Sequence, residues 1–376
     1  MAGIYFHIPF CKQACHYCDF HFSTNQEKKG EMVDALVHEL ELQKTYLGGE
    51  PVETVYFGGG TPSLLSVAEI ETLLQAVAKN FTWVPAGEIT LEANPDDLHT
   101  EKLVALRTAG VNRLSIGIQS FDDQVLHFLH RAHSASAAQQ CLEQARAAGF
   151  NNISLDLIYA IPGQPVETWR ENILRALSFA PEHISSYSLT IEEKTAFGKW
   201  AATGKLKAVE DDLAAAQLEM LVEMLDTAGY EQYEVSNFAR PGYYSRHNSS
   251  YWQQKKYLGI GPSAHSYDGQ SRQYNVANNH LYLRGLQEDK IPFTRETLTP
   301  EDVINDYLLT TLRTSCGTDL RKLRQEFQYD LQALHGPYLD TLCAESLAIV
   351  SGDTLRLTQR GKMLADKIAA DLFATK

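Results

Sequence analysis

The chain has few cysteines, no long apolar stretch and a shortage of positive charge. Six cysteines in 376 residues make no disulfide scaffold, and a chain of this length can bury a core without one. No uncharged apolar run approaches the ~18 residues of a membrane span, so an integral membrane protein is not expected. The opening Met1-Ala2-Gly3-Ile4-Tyr5 has neither a basic stretch nor a long apolar one, so no export signal is read there. These features predict a cytoplasmic protein. Lysine and arginine number 33 against 47 acidic residues, a net charge of −14. That balance argues against nucleic acid as a partner. Low-complexity segments and internal repeats are also missing. With 44% hydrophobic and 21% charged residues the chain is globular, not disordered. At ~150 residues per domain, the length suits two or three domains or a large barrel with additions.

The few cysteines are unevenly placed. Cys141, Cys316 and Cys343 stand alone, whereas Cys11, Cys15 and Cys18 fall within eight residues as Cys-x3-Cys-x2-Cys, directly after a strand-like run. Crowded thiols in a reducing compartment point to metal chemistry. One loop with this spacing can wrap three corners of a [4Fe–4S] cubane, leaving the fourth iron for a small chelating ligand. A zinc site is the alternative, with His16, His21 or Asp19 as fourth ligand.

Along the first 229 residues two periods alternate. Strand-like runs occur at 4–8, 52–57, 88–92, 113–118, 153–158 and 184–190. Helical stretches separate them at 27–47, 67–81, 101–109, 135–148, 166–179 and 211–228. Ser66 with Glu69 has capping-box spacing, and Ser134 can cap the fourth helical stretch. Six strand–helix repeats imply a parallel α/β sheet, either doubly wound or an incomplete barrel, with functional loops at the carboxyl ends of the strands. Residues 230–297 read as a connecting segment rich in Tyr, Asn, Gly and Ser. Residues 298–376 read as helices, a hairpin turning at Gly352-Asp353 and a last helix over 358–373, a small winged-helix-like domain.

Within this frame the motifs identify a relationship. Cys-x3-Cys-x2-Cys after the first strand resembles the radical S-adenosylmethionine (SAM) superfamily. Tyr5-Phe6-His7-Ile8-Pro9-Phe10-Cys11, Phe57-Gly58-Gly59-Gly60-Thr61-Pro62, Glu92-Ala93-Asn94-Pro95 and Ser115 to Phe121 resemble the oxygen-independent coproporphyrinogen III oxidase family, over essentially the whole chain. The resemblance implies an incomplete (βα)6 TIM-like barrel over 1–229. It also implies a cluster held by Cys11, Cys15 and Cys18, an electron donor to that cluster, and SAM bound by Tyr5, Tyr17, Gly59, Gly60, Thr61, Glu92, Gln119, Arg131 and Asp156. In such proteins a reduced cluster cleaves SAM to methionine and a 5′-deoxyadenosyl radical. On their own these residues admit plainer readings: Gly58–Gly60 as a tight turn, the others as structural polar groups. For Asp156 a solvated face is disfavoured, since an aspartate flanked by leucines on a buried strand needs a partner.

Two departures shift the expected function. The oxidase carries a fourth cysteine two residues after the third; here that residue is Phe20. Moreover His247-Asn248-Ser249-Ser250-Tyr251-Trp252 resembles the heme chaperone branch of the family. That resemblance implies heme bound by His247, Asn248, Tyr251 and Trp252, and transfer to heme-accepting proteins, with membrane-associated respiratory hemoproteins as candidates. A neutral imidazole can ligate heme iron, and Tyr251 and Trp252 offer flat area to a porphyrin. Read without the resemblance, His247 is a loop histidine satisfied by hydrogen bonds, its aromatic neighbours in the core. His127, His130 and His133, three apart, could share one side of a helical turn. A radical SAM enzyme acting on a porphyrin or other organic substrate remains the alternative to the chaperone, and a zinc-stabilised binding protein the third reading.

Overall fold

A computed structural model of the chain describes residues 1–375. Its centre is six parallel strands: β1 (Ala2–Ile8), β2 (Val52–Gly59), β3 (Trp83–Ala93), β4 (Arg113–Gln119), β5 (Ile153–Tyr159) and β6 (His183–Ser188). Crossovers are α1 (Lys29–Leu42), α2 (Val67–Asn80), α3 (Thr100–Thr108), α4 (Asp123–Phe128) with α5 (Ala135–Ala147), α6 (Val166–Ser178), and α7 (Ala196–Ala202) with α8 (Asp211–Thr227). The strands lie side by side in chain order, β1 to β6. A doubly wound sheet reverses order at a switch point, and this one does not. The order therefore selects the incomplete barrel, a mixed α/β fold with a small domain after it.

The expected caps are in place. Ser66 and Glu69 exchange both bonds of a capping box, and Ser134 accepts from the Ala137 amide at 3.2 Å. α1 is shorter than expected, and α4 and α7 are additions of six and seven residues with too few turns to show a period.

Strand alternation explains where the site lies. Ile4, Phe6 and Ile8 on β1, Val55 and Phe57 on β2, and Leu114, Ile116 and Ile118 on β4 enter the core beneath the helices. The residues between them are largely polar or aromatic: Tyr5 and His7, Thr54 and Tyr56, Arg113 and Ser115. Period 2 thus sends one set outward to the helices and the other into the barrel. A buried, chemically equipped interior results.

Residues 230–297 extend this sheet at both edges. β7 (Glu231–Glu234) and β8 (Asn237–Ala239) join beyond β6, with β8 antiparallel to it. After the short α9 (Arg246–Trp252), β9 (Tyr257–Ile260) pairs parallel to β1. β10 (His265–Tyr267), β11 (Ser271–Asn275) and, past α10 (Asn279–Gln287), β12 (Phe293–Thr297) complete twelve strands. Glu39 of α1 anchors this edge. It is fully buried and accepts from Gln43, the Gly261 amide, Asn275 and Tyr282 at 2.5–2.8 Å. Four donors satisfy a carboxyl that would otherwise be costly to bury.

The remaining residues form α11 (Pro300–Leu312), β13 (Thr318–Asp319), α12 (Leu320–Glu326), α13 (Leu331–Ala344), β14 (Ala348–Ser351), β15 (Thr354–Leu357), α14 (Gln359–Lys362) and α15 (Ala365–Asp371). They enclose their own apolar core. The hairpin turns at Gly352-Asp353 as expected. The last helix is broken at Met363-Leu364, where Leu364 leaves helical geometry at φ −115, ψ 18. Among the described residues no helix is long and apolar enough to cross a membrane.

Candidate functional site

Two cavities share the region around β1. The first, of about 470 Å³, opens at the carboxyl ends of the strands and is lined by Cys11, Cys15 and Cys18. Each cysteine is partly exposed and free of disulfide. Arg131 Nη1 lies 3.5 Å from Cys15 Sγ, and the Thr61 hydroxyl donates toward Cys11 Sγ at 3.4 Å. Burial pushes the Cys11 thiol up to about 11 and Cys18 to about 12. Both are therefore thiols until a metal supplies the charge that favours thiolate. Among the described residues no three His, Cys, Asp or Glu side chains are grouped as a single metal ion would need. The thiols instead border a space large enough for a polynuclear group, which fits an iron–sulfur cluster better than zinc.

Eight of the nine residues expected to hold SAM line this cavity: Tyr17, Gly59, Gly60, Thr61, Glu92, Gln119, Arg131 and Asp156. The ninth, Tyr5, does not; it lines the second cavity and stacks on Tyr56, ring centres 6.0 Å apart. Gly59 has φ +104, and a Cβ there would meet the His7 ring at 2.7 Å. Glycine is thus needed both for the turn and for the close approach. Gln119 ends β4 at φ +64, beside an irregularity in the β4–β5 pairing. That departure from strand geometry carries it to the cavity wall.

The polar floor has unusual acid–base properties. Burial pushes Glu92 up to about 7, although Tyr56 donates to it at 2.7 Å. Burial likewise lifts Asp156 to about 6, opposed by the charge of Arg113. Arg113 is 1% exposed, and its Nε and Nη1 have no hydrogen-bond partner. Arg131 is fixed by Asn94 Oδ1 at 2.6 Å and the Gly117 carbonyl at 2.7 Å. The cavity is a carboxylate–guanidinium site suited to a small ligand carrying both charge signs.

The His247 motif is divided by the fold. α9 turns its residues in three directions. Asn248 lines the cysteine cavity, Tyr251 and Trp252 line the second cavity, and His247 lies between. The His247 ring is closed on both sides, with Nδ1 2.7 Å from Thr54 Oγ1 and Nε2 2.8 Å from the Tyr251 hydroxyl. Its backbone amide donates to Glu88 at 3.0 Å. Burial and the Arg113 charge push the imidazole down to about 3, so it is neutral. As it stands, His247 offers no free nitrogen to iron; it holds the Tyr251 ring in place. The spaced histidines diverge as well. His130 stacks on His16 with ring centres 4.6 Å apart, while His133 is buried against the Ile118 carbonyl.

The second cavity, of about 580 Å³, was not apparent in the sequence. Its walls include Tyr5, Tyr251, Trp252, Tyr257 and Tyr267, with Lys255, His265 and Arg272 among the polar groups. Leu309 and Thr310 of α11 supply another side, so the C-terminal domain forms part of it. Phe20, 66% exposed, borders both cavities. The missed members of the first cavity, Tyr56, Asn94 and Ser115, sit on inward strand positions or strand ends. Only alternation relative to known site residues could have singled them out.

Comparison with known proteins agrees with this architecture. Residues 5–176 match the radical SAM superfamily model, and residues 298–364 match the HemN C-terminal domain. A protein of Bacillus subtilis, heme chaperone HemW, is 35% identical over 374 residues, covering 98% of each chain. The heme chaperone HemW of Mycobacterium tuberculosis H37Rv is 36% identical, over 99% of this chain and 94% of that protein. The solved coproporphyrinogen III oxidase HemN of Escherichia coli, described as a radical SAM enzyme, superposes with a TM-score of 0.86 at 25% identity. It covers 99% of this chain and 90% of that one.

Proposed function

The chain belongs to the heme chaperone HemW family of the radical SAM superfamily, and from that premise we propose that it carries heme in its aromatic cavity beside a cysteine-held [4Fe–4S] cluster with SAM, and passes the heme to acceptor hemoproteins. The observation that carries the reading is the adjacency of two differently equipped cavities sharing Phe20. One has three thiols and buried carboxyls; the other has aromatic walls and cations.

Cys11, Cys15 and Cys18 would hold the cluster, and with SAM bound it would supply one-electron chemistry. Arg131 and Thr61 donate to cysteine sulfurs, which stabilises thiolate charge. Glu92 and Asp156 give a cationic ligand two acceptors on the floor of the cavity. Glu92, poised near neutrality, gives up its proton when such a ligand arrives. Gly59 and Gly60 let the backbone approach it, while Tyr17 and Gln119 close the sides. Tyr251 and Trp252 give a porphyrin apolar faces, with Asn248 turned to the neighbouring cavity. Phe20 in place of the oxidase's fourth cysteine puts an apolar ring at the shared rim, which favours carriage over decarboxylation.

The test is heme transfer from the loaded protein to an apo-hemoprotein, with and without cluster and SAM. Transfer above the rate of free hemin supports the reading. Absence of hemin binding, or SAM-dependent multiple-turnover decarboxylation of coproporphyrinogen III, would replace it with the enzyme.

A further inference from the structure

We propose that His265 is the axial ligand this chain offers to heme iron, with Lys255 and Arg272 taking the porphyrin carboxylates; the assignment rests on the heme-carrying reading above.

An iron ligand needs an accessible nitrogen lone pair, and the histidines near the cavities differ sharply in this respect. His247 has both ring nitrogens engaged. His7 is 5% exposed, with Nε2 committed to the His21 carbonyl at 2.8 Å and Nδ1 facing the Tyr5 hydroxyl at 3.4 Å. His21 gives Nε2 to Asn279 Oδ1 at 2.7 Å. Among the described residues, the histidines lining the aromatic cavity are His7 and His265. Among the described residues no hydrogen bond engages the His265 ring, and the residue is exposed to the cleft. Its plane is nonetheless fixed by stacking on Tyr274, with ring centres 5.5 Å apart and 29° between planes.

The backbone under His265 is firmly held. The turn from Gly259 to His265 is tied to buried Glu39 through the Gly261 amide. Ser266 Oγ accepts from the Gly259 amide at 2.9 Å. Burial and the positive charge of Arg272 both push the imidazole down, so the ring is neutral and its lone pair is available at neutral pH.

The rest of the cleft offers aromatic faces and two cationic side chains, with Asp306 also in the wall. Tyr251 and Tyr257 meet edge to face at 4.6 Å, and Trp252 lies beneath the Arg313 guanidinium at 5.7 Å. These contacts fix the aromatic walls before any ligand enters. Arg272 is paired with Asp306, but a guanidinium has five donors, and those not facing Asp306 can take a carboxylate. Lys255 is only loosely paired, 3.9 Å from Glu53. The volume lies in the range of organic-ligand pockets, and the open mouth leaves one edge of the ligand accessible for handover.

Hemin titration of the full chain tests the assignment. Wild type is expected to show the Soret band and ferric EPR signal of histidine-ligated heme. His265→Ala should shift both and weaken hemin binding at least tenfold, and added imidazole should restore the wild-type spectrum to His265→Gly. Arg272→Ala with Lys255→Ala should weaken hemin but not its dimethyl ester, leaving the Soret position unchanged. If His265→Ala keeps spectrum and affinity while His247→Ala loses them, the assignment is overturned and the heme-carrying reading survives. If wild type does not bind hemin, the heme-carrying reading fails with it.

Discussion

Arg313, just past the end of α11, reaches back to Glu234 on β7, its Nε donating to Oε1 at 3.1 Å. Glu234 is 1% exposed and also accepts from the Ser236 amide and the Asn237 side chain. The same guanidinium pairs with Asp366 at 2.5 Å and covers the Trp252 ring. One side chain thus joins the sheet edge, the C-terminal domain and the aromatic cavity. Arg313→Met leaves a buried carboxylate without its cation, a loss of about 3 kcal/mol. Urea unfolding should show it, and hemin affinity should fall severalfold as Trp252 loosens. An unchanged unfolding midpoint would contradict this role.

Glu92 sets a proton linkage for SAM binding. With the carboxyl pushed up to about 7, the empty cavity holds a partial proton at pH 7.5 that a cationic ligand expels. Calorimetric binding enthalpies should therefore differ between phosphate and Tris buffers. In Glu92→Gln the buffer dependence should vanish and SAM should bind about ten- to a hundredfold more weakly, a loss of ~1–3 kcal/mol. Buffer dependence that persists undiminished in the variant would exclude Glu92 as its source.

His247 makes stability fall in acid. Its folded pKa, about 3, lies below the ~6.5 of an unfolded histidine. Between these values the unfolded chain binds a proton that the folded chain refuses. Stability from this group is complete above about 6.5 and is lost as pH falls toward 3. Glu92 and Asp156, raised to about 7 and about 6, act in the opposite direction, so the difference between wild type and His247→Gln isolates the histidine. From pH 6.5 to 5 wild type should lose ~2 kcal/mol more than the variant. A pH-independent difference would show that His247 is not buried in its neutral form.

Gly259 is a packing constraint on the β9–β10 turn. A Cβ there would stand 2.0 Å from the His265 carbonyl oxygen. Gly259→Ala should cost ~1–3 kcal/mol by thermal unfolding and weaken hemin binding. Wild-type stability and hemin affinity in this variant would refute the constraint.

Much of this was legible because it was local or periodic. Six βα repeats, the Ser66 box, the hairpin at Gly352-Asp353 and the Cys-x3-Cys-x2-Cys loop all lie within short windows. Glu92 and Asp156 could be singled out because each is a charge at or within an apolar strand. The second cavity was invisible because it joins Tyr5 to Tyr251 and Leu309, remote positions that only sheet order brings together. The edge strands of 230–297 are three to five residues long, too short for alternation to rise above composition. The reading of His247 depended on burial and on Thr54, 193 residues away, neither of which the motif encodes. Tyr5 stands apart for a related reason: β1 lines only the second cavity, through Tyr5 and His7, and residue type does not say which space an inward ring borders.

On β1, Tyr5 pairs with Tyr56 on one side and with Gly259 on the other. Its ring and that of Tyr56 stand back to back, one in each cavity. Because side chains alternate along a strand, adding or removing a single residue in β1 would exchange its two faces. The aromatic space would lose Tyr5 and His7 from its wall, Tyr56 in the neighbouring space would lose the ring stacked behind it, and Ile4 and Phe6 would leave the core. Over descent, this strand can therefore change its side chains but not its length. Any lineage that remodels one space by insertion must do so in the loops.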